Sequence, residues 1–209
     1  MTIASLIQTV PQLRDSFQNK PASYRIDSRP SRTQVRKIRA KLNSNLRAHP
    51  CSIDSVGGDW RFLVLRQTQW EDHMIRIRQI DPTDAAGLLA ACAVPLPILQ
   101  DPGTFVVDNL WTETQYLINR DNHNDARTQF NASSRLKDAL VQDITEAVPR
   151  ALLAQLGDDD GDFGHREPRE LLDFLELKYD KMRPQDVQKI LNSFDEPYDT
   201  AATIDEYFH

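Results

Sequence analysis

Apolar residues recur at helical spacing in the first half of the chain. Four of them lie three or four positions apart: Val35, Ile38, Leu42 and Leu46. This spacing places them on one face of an α-helix. Ser31 or Thr33 is a candidate N-cap for that helix, and Pro50 ends it at or before His49. The pattern therefore predicts an amphipathic helix between about residues 32 and 49.

A second clear stripe lies near the C-terminus, within "REPRELLDFLELKYDKM". Its apolar members are again separated by helical intervals: Leu171, Leu172, Leu175 and Tyr179. We expect one helix here. An acidic loop over "DDDGDFGHREP" precedes it, and a short helix after Pro149 precedes that loop. Two further short helices are expected after residue 182.

The region between the two stripes is less regular. "WRFLVL" is compatible with a buried strand or with the first turns of a helix, whereas "TQWEDHMIRIRQI" favours a helix with Trp70, Met74 and Ile77 on one face. The small residues after position 85 predict a short, wholly buried element followed by a loop. From Asp108, a candidate cap, we expect one helix before Asn122 and another after it.

These elements predict a mainly α-helical protein with two small helical lobes. We interpret residues 1–30 as a flexible N-terminal arm with one short helix. Residues 31–107 form the predicted N-terminal lobe, which begins with a basic helix, and residues 108–209 form the predicted C-terminal lobe. A hydrophobic content of 40% and a charged content of 27% are typical of a globular domain of this length.

The charge is distributed unevenly along the chain. The net charge is −6, but residues 1–50 contain 10 Lys and Arg against 2 Asp and Glu, so the remaining residues carry a net charge of −14. This asymmetry suggests either a segment that binds a polyanion or pairing between the basic end of one copy and the acidic part of another.

The basic amphipathic helix contains the candidate ligand-binding residues. They are the cations around its apolar stripe: Arg32, Arg36, Lys37, Arg39, Lys41 and Arg47. Together they could neutralise several phosphates, which would give salt-sensitive, sequence-indifferent binding of nucleic acid. The segment lacks interleaved aromatic residues, so we expect contacts with the phosphate backbone. A solvated or salt-bridged helix face is the alternative interpretation.

Other candidate chemistry does not fit the residues present. Gly57-Gly58 lacks the lysine of a phosphate-binding loop and the third glycine of a dinucleotide turn. If Asp158 began a calcium loop, Phe163 and Arg169 would occupy the glycine and bidentate glutamate positions. The five histidines and two cysteines have no metal-ligand spacing. We therefore predict no catalytic residues, no metal, no cofactor and no enzymatic activity.

The order of these pieces resembles a known family. The segment from "RPSRTQVRKIRAKLNSNLRAHP" to "VGGDWRFLVL", which contains an Arg-x-x-Leu-x-x-Asn helix, is similar to the start of the Gag capsid region of copia-type (pseudovirid) LTR retrotransposons. The segment from "LGDDDGDF" through "LLDFLELKY" to "EPYDTAATIDEYF" is similar to the end of that region. The sequence departs from the family pattern at Asp59-Trp60-Arg61 and at Asp180.

The resemblance implies a retrotransposon capsid-like helical fold, in a retrotransposon Gag or a protein derived from one. It also implies self-association into a homo-oligomeric shell around RNA, bound without sequence specificity, in a cytoplasmic virus-like particle. No membrane and no small-molecule substrate are expected as partners. The alternative function is that of a helical RNA- or DNA-binding or protein-adaptor module that does not assemble.

Overall fold

The protein is mainly α-helical, as the sequence predicts. The computed structural model describes residues 8–26, 30–49, 51, 59–81, 83–92, 95–158 and 160–179. Within these ranges, seven α-helices occur in the order α1 (Val10–Ser16), α2 (Arg32–Arg47), α3 (Gln67–Ile77), α4 (Ala85–Cys92), α5 (Glu113–Ala147), α6 (Arg150–Leu153) and α7 (Pro168–Tyr179). Two 3₁₀ turns, Pro21–Tyr24 and Trp60–Leu63, precede α2 and α3. Gly57-Gly58 and the helices expected after residue 182 lie outside the described residues.

The segment before α2 packs against the rest of the protein. Leu13, Phe17, Tyr24 and Ile26 are buried in the common core. Helix α1 and the first 3₁₀ turn contact α5, and the backbone amide of Ile26 donates a hydrogen bond to the carbonyl of residue 147 at 2.8 Å. The expected short helix is present, but residues 8–26 differ from a flexible arm because their apolar side chains contribute to the core.

Helix α2 has the predicted bounds and the predicted buried face. The Ser31 hydroxyl accepts a hydrogen bond from the Gln34 amide, and the Gln34 side chain accepts one from the Ser31 amide, which completes a capping box. The whole predicted stripe is buried: Val35, Ile38, Leu42 and Leu46. Helix α2 lies against both 3₁₀ turns and against α7, so elements that are far apart in the sequence surround it.

The region from residue 60 to residue 92 combines confirmed and wrong predictions. "WRFLVL" begins with a 3₁₀ turn whose Trp60 and Phe62 are buried, so it is neither a strand nor the start of an α-helix. Helix α3 buries Trp70 and Met74 as predicted, whereas Ile77 is exposed. Helix α4 was expected to be wholly buried, but Leu89 is 74% exposed.

Helix α5 is one continuous helix of 35 residues, so the predicted break near Asn122 is wrong. Its N-cap is Thr112, whose hydroxyl accepts a hydrogen bond from the Gln115 amide. Asp108 was the expected cap, but its carboxylate instead accepts a hydrogen bond from the Leu110 amide at 2.9 Å in the preceding turn. No glycine or proline interrupts residues 113–147, so a polar sequence remains helical throughout.

The C-terminal described elements agree with the sequence pattern. Helix α6 follows Pro149, and the acidic segment after it forms a loop in which the Asp158 side chain accepts a hydrogen bond from the Asp162 amide at 2.7 Å. Phe163 anchors this loop in the core. The predicted face of α7 is fully buried: Leu171, Leu172, Leu175 and Tyr179.

A single buried cluster extends from Leu13 to Tyr179 in the described residues. It contains side chains from both sides of the predicted boundary between residues 107 and 108, because α2 packs on α7 and α1 packs on α5. The division into two lobes stays a prediction. The candidate site lies on the side of α2 that faces away from this core.

Candidate nucleic-acid interface

The predicted cations of α2 do not all share one environment. Arg36, Lys37 and Arg47 are exposed, and Lys41 is half-buried. Among the described residues, no carboxylate forms an ion pair with any of these four side chains. Arg32 begins the helix, and its side chain lies outside the described part of the structure. Helix α2 therefore presents several uncompensated positive charges to solvent, as a phosphate-binding surface requires.

Arg39 is unsuitable for the predicted contact with nucleic acid. Only 5% of the residue is exposed, and its guanidinium points toward α7. There it pairs with Glu176 at 2.6 Å and with Asp173 at 2.6 Å, and it also donates a hydrogen bond to the Val64 carbonyl. The reason for this burial is long-range: Glu176 is itself 6% exposed and needs a buried cation to offset its desolvation.

Arg66 is a cation of this surface that the sequence reasoning missed. It lies at the N-terminus of α3, and its side chain is 41% exposed. Its guanidinium is held by Asp173 at 2.9 Å and Glu176 at 2.5 Å. Two arginines and two carboxylates thus form a connected network between α2, α3 and α7. The sequence offered no signal for Arg66, because it stands outside the basic segment and its partners are more than a hundred residues away.

A groove lies beside this network, on the Arg36 side of α2. Its volume is about 360 Å³, and its lining includes Arg36, Asn43 and Arg66. The Oδ1 atom of Asn43 is buried and has no hydrogen-bond partner. A buried amide oxygen of this kind is uncommon, since most buried polar atoms are paired. The groove is a polar concavity that adjoins the exposed cations of α2, since Arg36 belongs to both.

A second polar cluster supports the second 3₁₀ turn. His73 is buried, lies 3.0 Å from the Arg61 guanidinium through Nδ1 and packs on the Trp70 ring at a centroid distance of 5.3 Å. Asp59 pairs with Arg61 and caps the turn by accepting from the Arg61 amide. Burial, together with the nearby Arg61 charge, lowers the pKa of His73. A neutral His73 fits this site, where its role is to hold the turn against α3.

A third cluster joins α1 to α5. The Arg14 guanidinium pairs with the buried Asp143 at 2.6 Å and also with Glu146, and the Tyr24 hydroxyl donates to Asp143 at 3.4 Å. Burial raises the pKa of Asp143, while Arg14 opposes that shift. Burial and the Asp143 charge raise the pKa of Tyr24. These contacts explain why the segment before α2 is fixed on the protein.

The described residues contain no group of three or more His, Cys, Asp or Glu side chains arranged to hold a metal ion. In the acidic loop, the Asp158 and Asp162 carboxylates accept backbone hydrogen bonds at 2.7 Å from within the loop. A positive φ of 73° at Gly161 forms the turn there. Within the same described ranges, no helix combines the length and apolar character needed to span a bilayer.

The solvent-exposed apolar residues lie mostly in one part of the described chain. Seven of the nine large apolar residues that are exposed fall between positions 89 and 118. We define the apolar tip as the six of these at positions 98–118: Ile98, Val106, Val107, Leu110, Leu117 and Ile118. Phe105 packs beside them on Trp111, Tyr116 and His123, with centroid distances of 6.0, 5.9 and 5.2 Å. The tip is therefore organised by an aromatic cluster that is separate from the main core.

Comparison of the chain with protein-family models, with curated proteins and with solved structures finds no match.

Proposed function

We propose that this protein is a structural subunit that assembles with copies of itself into a shell around RNA, as the resemblance to retrotransposon Gag capsids implies. The observation that carries the proposal is the apolar tip. Leu110 is 88% exposed, and five other large apolar residues at positions 98–118 of the chain are exposed as well. Monomeric proteins rarely leave large apolar patches exposed, whereas subunit interfaces commonly contain them.

A second copy of the chain is the occupant that we assign to the apolar tip. The distribution of charge supports this choice, since residues 1–50 are strongly basic and the remainder of the chain is acidic. Copies with this asymmetry attract one another in appropriate orientations. Contacts between unlike surfaces of identical subunits propagate into rings or shells, as a capsid requires.

RNA is the second proposed partner, on the outward face of α2. Arg36, Lys37 and Arg47 are exposed there without carboxylate partners in the described part of the chain. Contacts of such cations with phosphates release counterions and depend little on sequence. A shell that packages RNA needs this kind of binding. The same face also favours the alternative function, a helical nucleic-acid-binding module that does not assemble.

Light scattering coupled to size-exclusion chromatography, followed by negative-stain microscopy at several salt concentrations, tests the proposal. We expect the wild type to form large particles and the variant with Leu110→Glu and Leu117→Glu to remain at the 24.0 kDa of one chain. Leu177→Glu is the matched control, because Leu177 is 81% exposed but lies on α7. A wild type that stays monomeric while binding RNA would favour the non-assembling module. Unchanged assembly of the tip variant would exclude the tip as the interface.

A further inference from the structure

We propose that the groove beside α2 binds one unstacked nucleotide of single-stranded RNA, with its phosphate on Arg36 and its base against Arg66 and Asn43. This proposal rests on the proposed RNA-binding function and deepens it. It also changes the sequence-based expectation that every contact is made to the phosphate backbone. The argument depends on the charge of the groove, on its shape and on the state of the Asn43 side chain.

The charges that line the groove leave one cation without a counterion. Arg39 and Arg66 are offset by Asp173 and Glu176, each carboxylate lying within 2.9 Å of both guanidiniums. Arg36 also lines the groove, is exposed and has no carboxylate partner among the described residues. A single surplus positive charge matches the single negative charge of a phosphodiester.

Arg66 provides a flat surface at the same groove. Two carboxylates fix its guanidinium, so little side-chain entropy remains to be lost when a ligand packs on it. Unstacked RNA bases pack on arginine planes of this kind, and a base in a duplex cannot do so because it is already stacked. The groove volume of about 360 Å³ lies at the small end of the range for ligand sites, which suits one nucleotide.

Asn43 supplies hydrogen-bonding capacity without a competing partner. Its buried Oδ1 accepts no hydrogen bond, and no donation from its Nδ2 occurs among the described residues. The carboxamide can therefore rotate by half a turn about its last side-chain bond without losing a hydrogen bond. It can present either its oxygen or its nitrogen to a base edge, and every base carries a complementary donor or acceptor. We expect hydrogen bonding to the base with little preference for base identity.

The test measures fluorescence anisotropy with labelled eight-nucleotide oligo(A), oligo(U) and an eight-base-pair RNA duplex, at several salt concentrations. We expect the wild type to bind both single strands about tenfold more tightly than the duplex. Asn43→Leu, which removes the amide at similar volume, should lose most of that preference while the salt dependence stays unchanged. Arg36→Gln should weaken all binding and lower the slope of log affinity against log salt by about one.

Lys37→Gln is the matched control for Arg36→Gln. Lys37 is exposed on the same helix but does not line the groove. Its loss should reduce the salt slope in the same way and leave the preference for single strands intact. The groove proposal is overturned if the wild type binds duplex and single strands equally, or if Asn43→Leu keeps the full preference. Circular dichroism and thermal unfolding establish that each variant is folded.

The same measurements on the Leu110→Glu and Leu117→Glu variant separate this proposal from the assembly proposal. Retained single-strand preference in this variant shows that the groove acts without assembly, whereas a wild type that keeps the preference but never forms particles supports the groove and refutes the shell. Particles from a wild type without that preference refute the groove and leave the shell standing. If neither particles nor RNA binding is observed, both proposals are wrong.

Discussion

The two halves of α5 are continuous in backbone but differ in environment. Residues 132–147 include nine buried side chains, and they pack against α1, the first 3₁₀ turn and α7. In residues 113–131, no side chain is fully buried. At a rise of 1.5 Å per residue, this outer half is about 28 Å long. Its helical form depends on local hydrogen bonds and the Thr112 cap, whereas the inner half also gains stability from tertiary packing.

This contrast shows that helix continuity and helix burial are separate properties of a sequence. The inner half follows the apolar periodicity, so its position in the core is visible in the residue pattern. The outer half is polar between Arg120 and Gln129, and its composition resembles that of a loop. It is nevertheless helical, because none of these residues strongly opposes a helix that is already nucleated.

The largest expected difference between the two halves is in the cost of truncating a leucine. Leu140→Ala removes a fully buried side chain of the inner half and should lower the free energy of unfolding by about 3 kcal/mol. Leu117→Ala makes the same change in the outer half, where the side chain is 42% exposed. It should alter the free energy of unfolding by no more than about 0.5 kcal/mol. Urea denaturation monitored by circular dichroism measures both. A large cost for Leu117 would show that the outer half is packed.

A similar contrast applies to the two sides of α2. Arg39→Met leaves Glu176 buried with one fewer cation and should lower the free energy of unfolding by about 3 kcal/mol. Arg36→Met, on the exposed side, should change it by less than about 0.5 kcal/mol. Adding Glu176→Leu to Arg39→Met should recover part of the loss, because the uncompensated carboxylate is then removed. Equal effects of the two arginine variants would contradict the buried network.

The smallest expected effect is a pH dependence of the stability, to which the buried His73 contributes. The pKa of His73 lies below its ordinary value of about 6.5, so as the pH falls through 6.5 the unfolded chain takes up a proton before the folded protein does. Stability is therefore fully present above that pH and is lost as the pH falls toward the folded pKa. His73→Gln should reduce the slope of stability against pH between 7.5 and 6. The burial of His49 lowers its pKa in the same direction, so a residual slope is expected.

The helices whose buried faces are regular could be predicted from the sequence. The stripes of α2 and α7 were identified correctly because periodic burial leaves periodic apolar residues. Helix α4 was assigned to the core because it is rich in alanine and leucine, yet Leu89 is exposed. Composition reports that a residue is apolar, but whether another element covers it depends on the tertiary arrangement.

The candidate site was predictable only in part. Arg36, Lys37 and Arg47 are exposed cations, as a basic amphipathic helix suggests. Arg39 is also a cation of this helix, but it is buried in an ion pair with Glu176, which lies 137 positions away in the sequence. Pairing over such a separation leaves no mark in local periodicity. For the same reason Arg66 and the groove became apparent only in three dimensions.

The separation of the aromatic cluster from the main core has a spectroscopic consequence. The chain contains three tryptophans, and two of them, Trp60 and Trp70, are buried in the core. The third, Trp111, packs on Phe105 beside the apolar tip and is only half-buried. Replacing the two core tryptophans with phenylalanine would leave an emission signal from the tip, and replacing Trp111 would leave one from the core. Intrinsic fluorescence of these two variants can therefore report separately on the surroundings of the apolar tip and on the unfolding of the core.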